Sequence, residues 1–102
     1  MEGHATISAY VLGSYAADAA REVAGVHGIV EGGLHRHRGV RVEERDGTIA
    51  VELHVSLESG ANVEEVGRAL QERVGDYLAR MANVTPDAVD VVVAEIGPPP
   101  PG

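Results

Sequence analysis

Val40-Arg41-Val42-Glu43-Glu44-Arg45-Asp46-Gly47-Thr48-Ile49-Ala50-Val51-Glu52-Leu53-His54-Val55-Ser56-Leu57 is the stretch whose reading decides the fold. Asp46-Gly47 stands between two alternating runs, the pattern of a two-residue hairpin turn. Such a turn pairs Arg45 with Thr48. It then sets Val42 against Val51, Arg41 against Glu52 and Val40 against Leu53. In that register Val40, Val42, Ile49, Val51, Leu53, Val55 and Leu57 share one face. A slip of one residue would place Val42 opposite Ala50 and break that face, so the register is well specified. Arg41 and Glu52 become an opposite-charge pair on the other face, worth roughly 0.2–1 kcal/mol.

An apolar sheet face needs a cover, and both flanks of the hairpin supply one. Upstream, Ser8 reads as an N-cap. Val11, Tyr15, Ala19 and Val23, joined by Leu12, Ala16 and Ala20, trace one face of a helix. Gly25 supplies a left-handed stop, and Val26 packs back on the last turn. Residues 27–38 carry His, Gly and Arg and read as a loop. Ala5-Thr6-Ile7 has the composition of a short edge strand. Downstream, Asn62 caps a second helix with Glu65 at its third position. Its stripe is Val63, Val66, Leu70, Val74, Tyr77, Leu78 and Met81. Gly67 and Gly75 each cost about 1 kcal/mol in a helix, which suggests close backbone approach to the Ala-rich first helix. Asn83 ends the helix and Thr85-Pro86 turns the chain. In a last strand Val89, Val91 and Val93 point one way, and Val92, Ala94 and Ile96 the other.

The expected fold is α+β, a two-layer sandwich. It has a small mixed or antiparallel sheet of three strands, four if Ala5-Thr6-Ile7 joins, with two helices on one face. Strand order is open. One domain is expected over 1–97, followed by a Pro-rich tail over 98–102.

Composition narrows function mainly by exclusion. The 102 residues contain no Cys, Trp or Phe, so neither a disulfide nor a thiolate metal site can form. Met1-Glu2-Gly3-His4 has no basic stretch and no apolar run behind it, so no signal peptide is expected. Apolar runs such as Val91-Val92-Val93-Ala94 fall far short of the roughly 20 residues of a membrane span, so direct membrane insertion is not expected. A net charge of -8 argues against nucleic-acid binding. All eight cations are Arg. Arg36, Arg38, Arg41 and Arg45 cluster with His35 and His37 on an otherwise acidic chain, which points to an anionic partner.

No spacing announces catalysis. His35-Arg36-His37 places two imidazoles on one side of an extended segment, but the flanking Arg repel a cation and no third ligand has a fixed place. His54 beside Glu52 reads as a surface pair rather than a base. Glu43-Glu44 fall on opposite strand faces, and Glu64-Glu65 favour a helix N-terminus. Gly13-Ser14-Tyr15 lies inside a helix and is no nucleophile elbow. Gly25-Val26-His27-Gly28 has the spacing of a nucleic-acid clamp, but it leads to a loop on an acidic chain. No catalytic, cofactor or metal residue is assigned. The apolar strip Val92, Ala94 and Ile96 is the candidate self-association surface.

Several of these elements together resemble the alkaline shock protein (Asp/Gls-type) family. They are Ile7-Ser8, the Gly25-Val26 stop, Gly39-Val40-x-Val42, the alternating second strand, Val66/Gln71/Val74 and the closing valine strand. The similarity runs over residues 7–96. It implies a non-enzymatic bacterial protein of envelope stress that self-associates as a homo-oligomer. It also implies a cytoplasmic domain gathered at the inner face of the cell membrane by a small membrane anchor protein. His35, Arg36, His37, Arg38, Arg41 and Arg45 are then the candidate contact for that partner. Other branches imply a regulatory partner of a fatty-acid synthesis enzyme. A metal- or ligand-binding module using the His-rich loop is a third reading.

Overall fold

The structure is a computed structural model that describes residues 7–31 and 39–97. Its elements in chain order are α1 (Ala9–Arg21), β1 (Val26–Ile29), β2 (Val40–Arg45), β3 (Thr48–Leu57), α2 (Val63–Ala82) and β4 (Ala88–Ile96). The fold is α+β, with both helices on one face of the sheet.

The hairpin forms in the expected register throughout, from Val40↔Leu53 to Arg45↔Thr48. Asp46 and Gly47 both take positive φ, at 52° and 82°, as a turn matched to strand twist requires. The helix boundaries follow the caps. Ser8 Oγ accepts from Val11 N–H at 3.2 Å, and Asn62 Oδ1 accepts from Glu65 N–H at 3.0 Å. Asn83 closes α2 in the left-handed conformation.

β3 is the axis of the sheet. β4 runs parallel along one edge, which α2 makes possible by carrying the chain back as a crossover. On the other edge lie two antiparallel strands end to end. β2 pairs with 48–53 and β1 with 55–57. His54 sits at the seam, accepting from Val30 N–H at 2.8 Å and donating to Gly39 O at 2.9 Å. The sheet is therefore mixed, and one of its edges is shared by two strands, one ending at Ile29 and the next starting at Val40.

This corrects the reading of 27–38 as a loop, because Val26–Ile29 is a strand. Its Gly and His carry little strand propensity, and the free half of β3 supplies the pairing instead. The fourth strand is thus β1. Of Ala5-Thr6-Ile7, only Ile7 lies within the described residues, and it is not in a strand. Gly39 makes the seam possible. It has φ +76, and a Cβ there would fall on Ile29 Cγ2 and lie 2.5 Å from Val30 O.

The core lies between the layers. Val51, Leu53, Val55 and Leu57 of β3 and Leu70, Val74 and Leu78 of α2 are fully buried. The α1 contribution is mostly small residues, with Ala16, Ala17, Ala19 and Ala20 at 0% exposure beside a buried Leu12. Close approach therefore belongs to α1, not to Gly67 and Gly75, around which a Cβ would meet nothing within 4 Å. Val63 and Met81 also depart from the expected stripe, at 49% and 52% exposure, because they lie in the first and last turns of α2, at the margins of the buried stripe. A one-residue bulge interrupts β4, since Val93 pairs with Val55 while Glu95 pairs with Ser56. Ala94 is the extra residue.

Leu70→Ala should lower stability by about 2–5 kcal/mol, the range for a buried Leu truncated in a tight core. Met81→Ala should stay within about 0.5 kcal/mol. Urea melts of the two variants check this, and an unchanged midpoint for Leu70→Ala would contradict the placement of α2.

Candidate functional site: a polar sheet face and an open strand edge

Two surfaces carry the features singled out in the sequence. The first is the outer face of the sheet. Arg41, Glu43 and Arg45 of β2 share it with Glu52 and His54 of β3 and with Asp90 and Val92 of β4. Register sets Arg41 opposite Glu52, as expected. Among the described residues, two side-chain contacts run along the strands. Arg41 binds Glu43, and His54 Nε2 meets Glu52 Oε1 at 2.6 Å. The reason is reach: i and i+2 in one strand point to the same face, so each carboxylate finds a partner on its own strand. The His54 side chain is only 13% exposed. Ser56, on the same face, is buried with no partner for its hydroxyl among the described residues.

Arg41 and Arg45 are exposed. His35, Arg36, His37 and Arg38 lie outside the described residues. The two ends of their segment, Val30 and Gly39, both bond to the His54 backbone, so the segment leaves and re-enters the sheet at one point. Among the described residues no group of three or more His, Asp or Glu is arranged to hold a metal ion.

The expected strip of Val92, Ala94 and Ile96 is corrected by the bulge. Val92 lies across from His54 on the outer face, but Ile96 is in register with Leu57, an inward residue. An extra residue reverses the alternation beyond it. Val92 and Ile96 are exposed, at 39% and 56%, yet they do not form one line.

The second surface is the outer edge of β4, which pairs with no strand among the described residues and whose backbone groups the sequence did not mark as a site. The N–H and C=O of one strand residue point to the same edge, and successive residues alternate. His54 turns both groups to the β1/β2 edge, so Leu53 and Val55 turn theirs to β4. There they engage the residues flanking their partners. Val89, Val91 and Val93 are left with their backbone groups facing outward. Gln71 bears this out, since its Nε2 donates to Val89 O from that side at 3.1 Å. Beside this edge runs a groove of about 330 Å³ between α2 and β4, lined by Val63, Gly67, Arg68, Gln71, Val91 and Val93 among others. The missed signal is Gly67 one turn before Gln71, which marks a helix face left open beside a strand.

The comparisons with known proteins bear on what such surfaces serve. The sequence model of the alkaline shock protein (Asp) family, described as having a cell envelope-related function, matches residues 1–98. The chain belongs to this family. No curated protein matches this family member in sequence. Solved structures of the MamM CTD share its fold. One MamM CTD variant superposes with a TM-score of 0.62 at 19% identity, over 86% of this chain and 94% of that chain. The MamM-CTD itself gives 0.60 at 17% identity, over 83% and 95%. A cadmium form gives 0.60 at 18% identity, over 83% and 94%. At such identities the likeness concerns the fold alone. Among the described residues of this alkaline shock family domain, no helix is long and apolar enough to cross a membrane.

Because two Arg flank the imidazoles and no third ligand is fixed, His35 and His37 should not bind zinc or nickel tightly. Calorimetry checks this. Submicromolar affinity that disappears in a His35→Ala/His37→Ala double variant would contradict it.

Proposed function

We propose that this protein is a non-enzymatic interaction domain of the bacterial envelope stress response. On this reading the domain self-associates in the cytoplasm and docks to a small membrane-anchored partner. The observation that carries the reading is family membership over residues 1–98, joined to surfaces suited to contact rather than catalysis. The basic stretch is the docking element, with Arg41 and Arg45 projecting from the outer face and His35, Arg36, His37 and Arg38 in the segment anchored at His54. It is the positive region of an acidic chain and suits an acidic segment of the partner. Self-association uses the outer face around Val92 and Ala94, where apolar side chains stand exposed.

The magnitudes favour a partner over direct lipid binding. Each basic residue near an anionic surface contributes about 1 kcal/mol at most, and salt screens it within roughly 8–10 Å. Four Arg therefore give weak, salt-sensitive attraction. The isolated protein should stay in the supernatant with anionic liposomes at physiological salt. In cells it should reach the membrane fraction only when the anchor protein is present. Membrane localisation that persists in a strain lacking the anchor would refute this reading in favour of direct lipid binding.

Self-association has a separate check. Light scattering should show oligomers that dissociate in Val92→Asp, where a charge would be buried on assembly. A monomer at all concentrations in the wild type would contradict this part of the reading.

A further inference from the structure

The open edge of β4 and the groove beside it remain unused by the surfaces described so far. We infer that this edge is a strand-addition site for an extended segment of the docking partner. This inference rests on the docking reading and adds a second contact with the same partner, on the edge of the sheet opposite β2.

The backbone argument comes first. Val91 and Val93 present outward N–H and C=O groups two residues apart, the spacing that one added strand satisfies. Gln71 occupies Val89 O and so limits the site at one end to a short segment. The side-chain argument follows. Alternate residues of an added strand would point toward the groove, whose walls are Val63, Val91 and Val93 and whose depth comes from the absent side chain of Gly67. Glu64 and Arg68, one turn apart on α2, both line the groove, and no ion pair joins them among the described residues, so a carboxylate of the segment is directed to Arg68 and away from Glu64. The segment recognised therefore has apolar side chains at alternate positions and one acid.

Packing decides against a second copy of this chain. α2 lies over β4. Paired strands sit about 4.8 Å apart, whereas packed helices need about 8–10 Å. A second β4 carrying its own α2 would drive the helices into each other. An extended segment with nothing stacked on it fits.

The test uses isotope-labelled full chain and the acetylated, amidated peptide Ser-Val-Ser-Val-Ser-Val-Glu. Shifts and slowed amide exchange should centre on Val91, Val93 and Gly67. Gly67→Leu should weaken binding at least tenfold while keeping the fold, because a helix tolerates Leu better than Gly and nothing lies within 4 Å of the added Cβ. N-methylation of one alternate set of peptide amides should abolish binding, and of the other set should not. Absence of shifts at Val91 and Val93 at millimolar peptide, or equal binding by Gly67→Leu, would overturn the inference. So would protection at those amides that rises with protein concentration alone, since a second copy would then occupy the edge. In cells, Gly67→Leu should leave the membrane fraction. If it stays there while the wild type still needs the anchor, docking stands and the groove is not its site.

Discussion

A strand bonded on both edges and buried on one face leaves its neighbours little freedom, and β3 is such a strand. Val51, Leu53, Val55 and Leu57 supply its inner face at full burial. Their intervening residues supply the outer face. Because backbone groups alternate between edges, the same run determines which groups serve β1 and β2 and which serve β4. The helices then take their places over its inner face, with Ala-rich α1 able to lie close and α2 bringing the larger side chains. Asp87 fastens the start of β4 to this axis from both directions. Its N–H donates to Ile49 O at 2.7 Å, and its carboxylate accepts from Ile49 N–H at 2.6 Å.

Much of this was legible because its causes are local. The Asp46-Gly47 turn, the Ser8 and Asn62 caps and the Asn83 stop each depend on residues within four positions. Where the cause is tertiary, local reading went astray. Val26–Ile29 is a strand only because β3 is longer than β2 and offers three more pairing positions. The Ala94 bulge leaves no mark in an unbroken valine run, since Val91-Val92-Val93-Ala94 reads equally well with or without a change of phase. Gly67 and Gly75 invite a packing explanation, yet they lie on the uncovered side of α2. Which side is covered depends on where the sheet ends.

The surfaces show the same division. Opposition of Arg41 and Glu52 follows from register, but the contacts seen among the described residues, Arg41 with Glu43 and His54 with Glu52, depend on the reach of side chains along one strand. The β4 edge was hidden for another reason. Its outward backbone groups belong to residues whose side chains point inward, so the valines that read as core also form the exposed polar rim. Pattern analysis records side chains and is blind to backbone direction until the edges of the sheet are known.

The divided edge strand has a consequence for how such a chain can change. Val30 and Gly39 are both held by the backbone of His54 in β3, so a change of length between them need not move either anchor. Doubling a flexible loop costs only about 0.6 kcal/mol in closure entropy. A change of length between Val30 and Gly39 is therefore cheap in closure entropy while both anchors hold. The seam is a natural graft point. A lineage can rewrite what this domain recognises there without redesigning the scaffold, and an engineer can place an epitope or a reporter in the same gap.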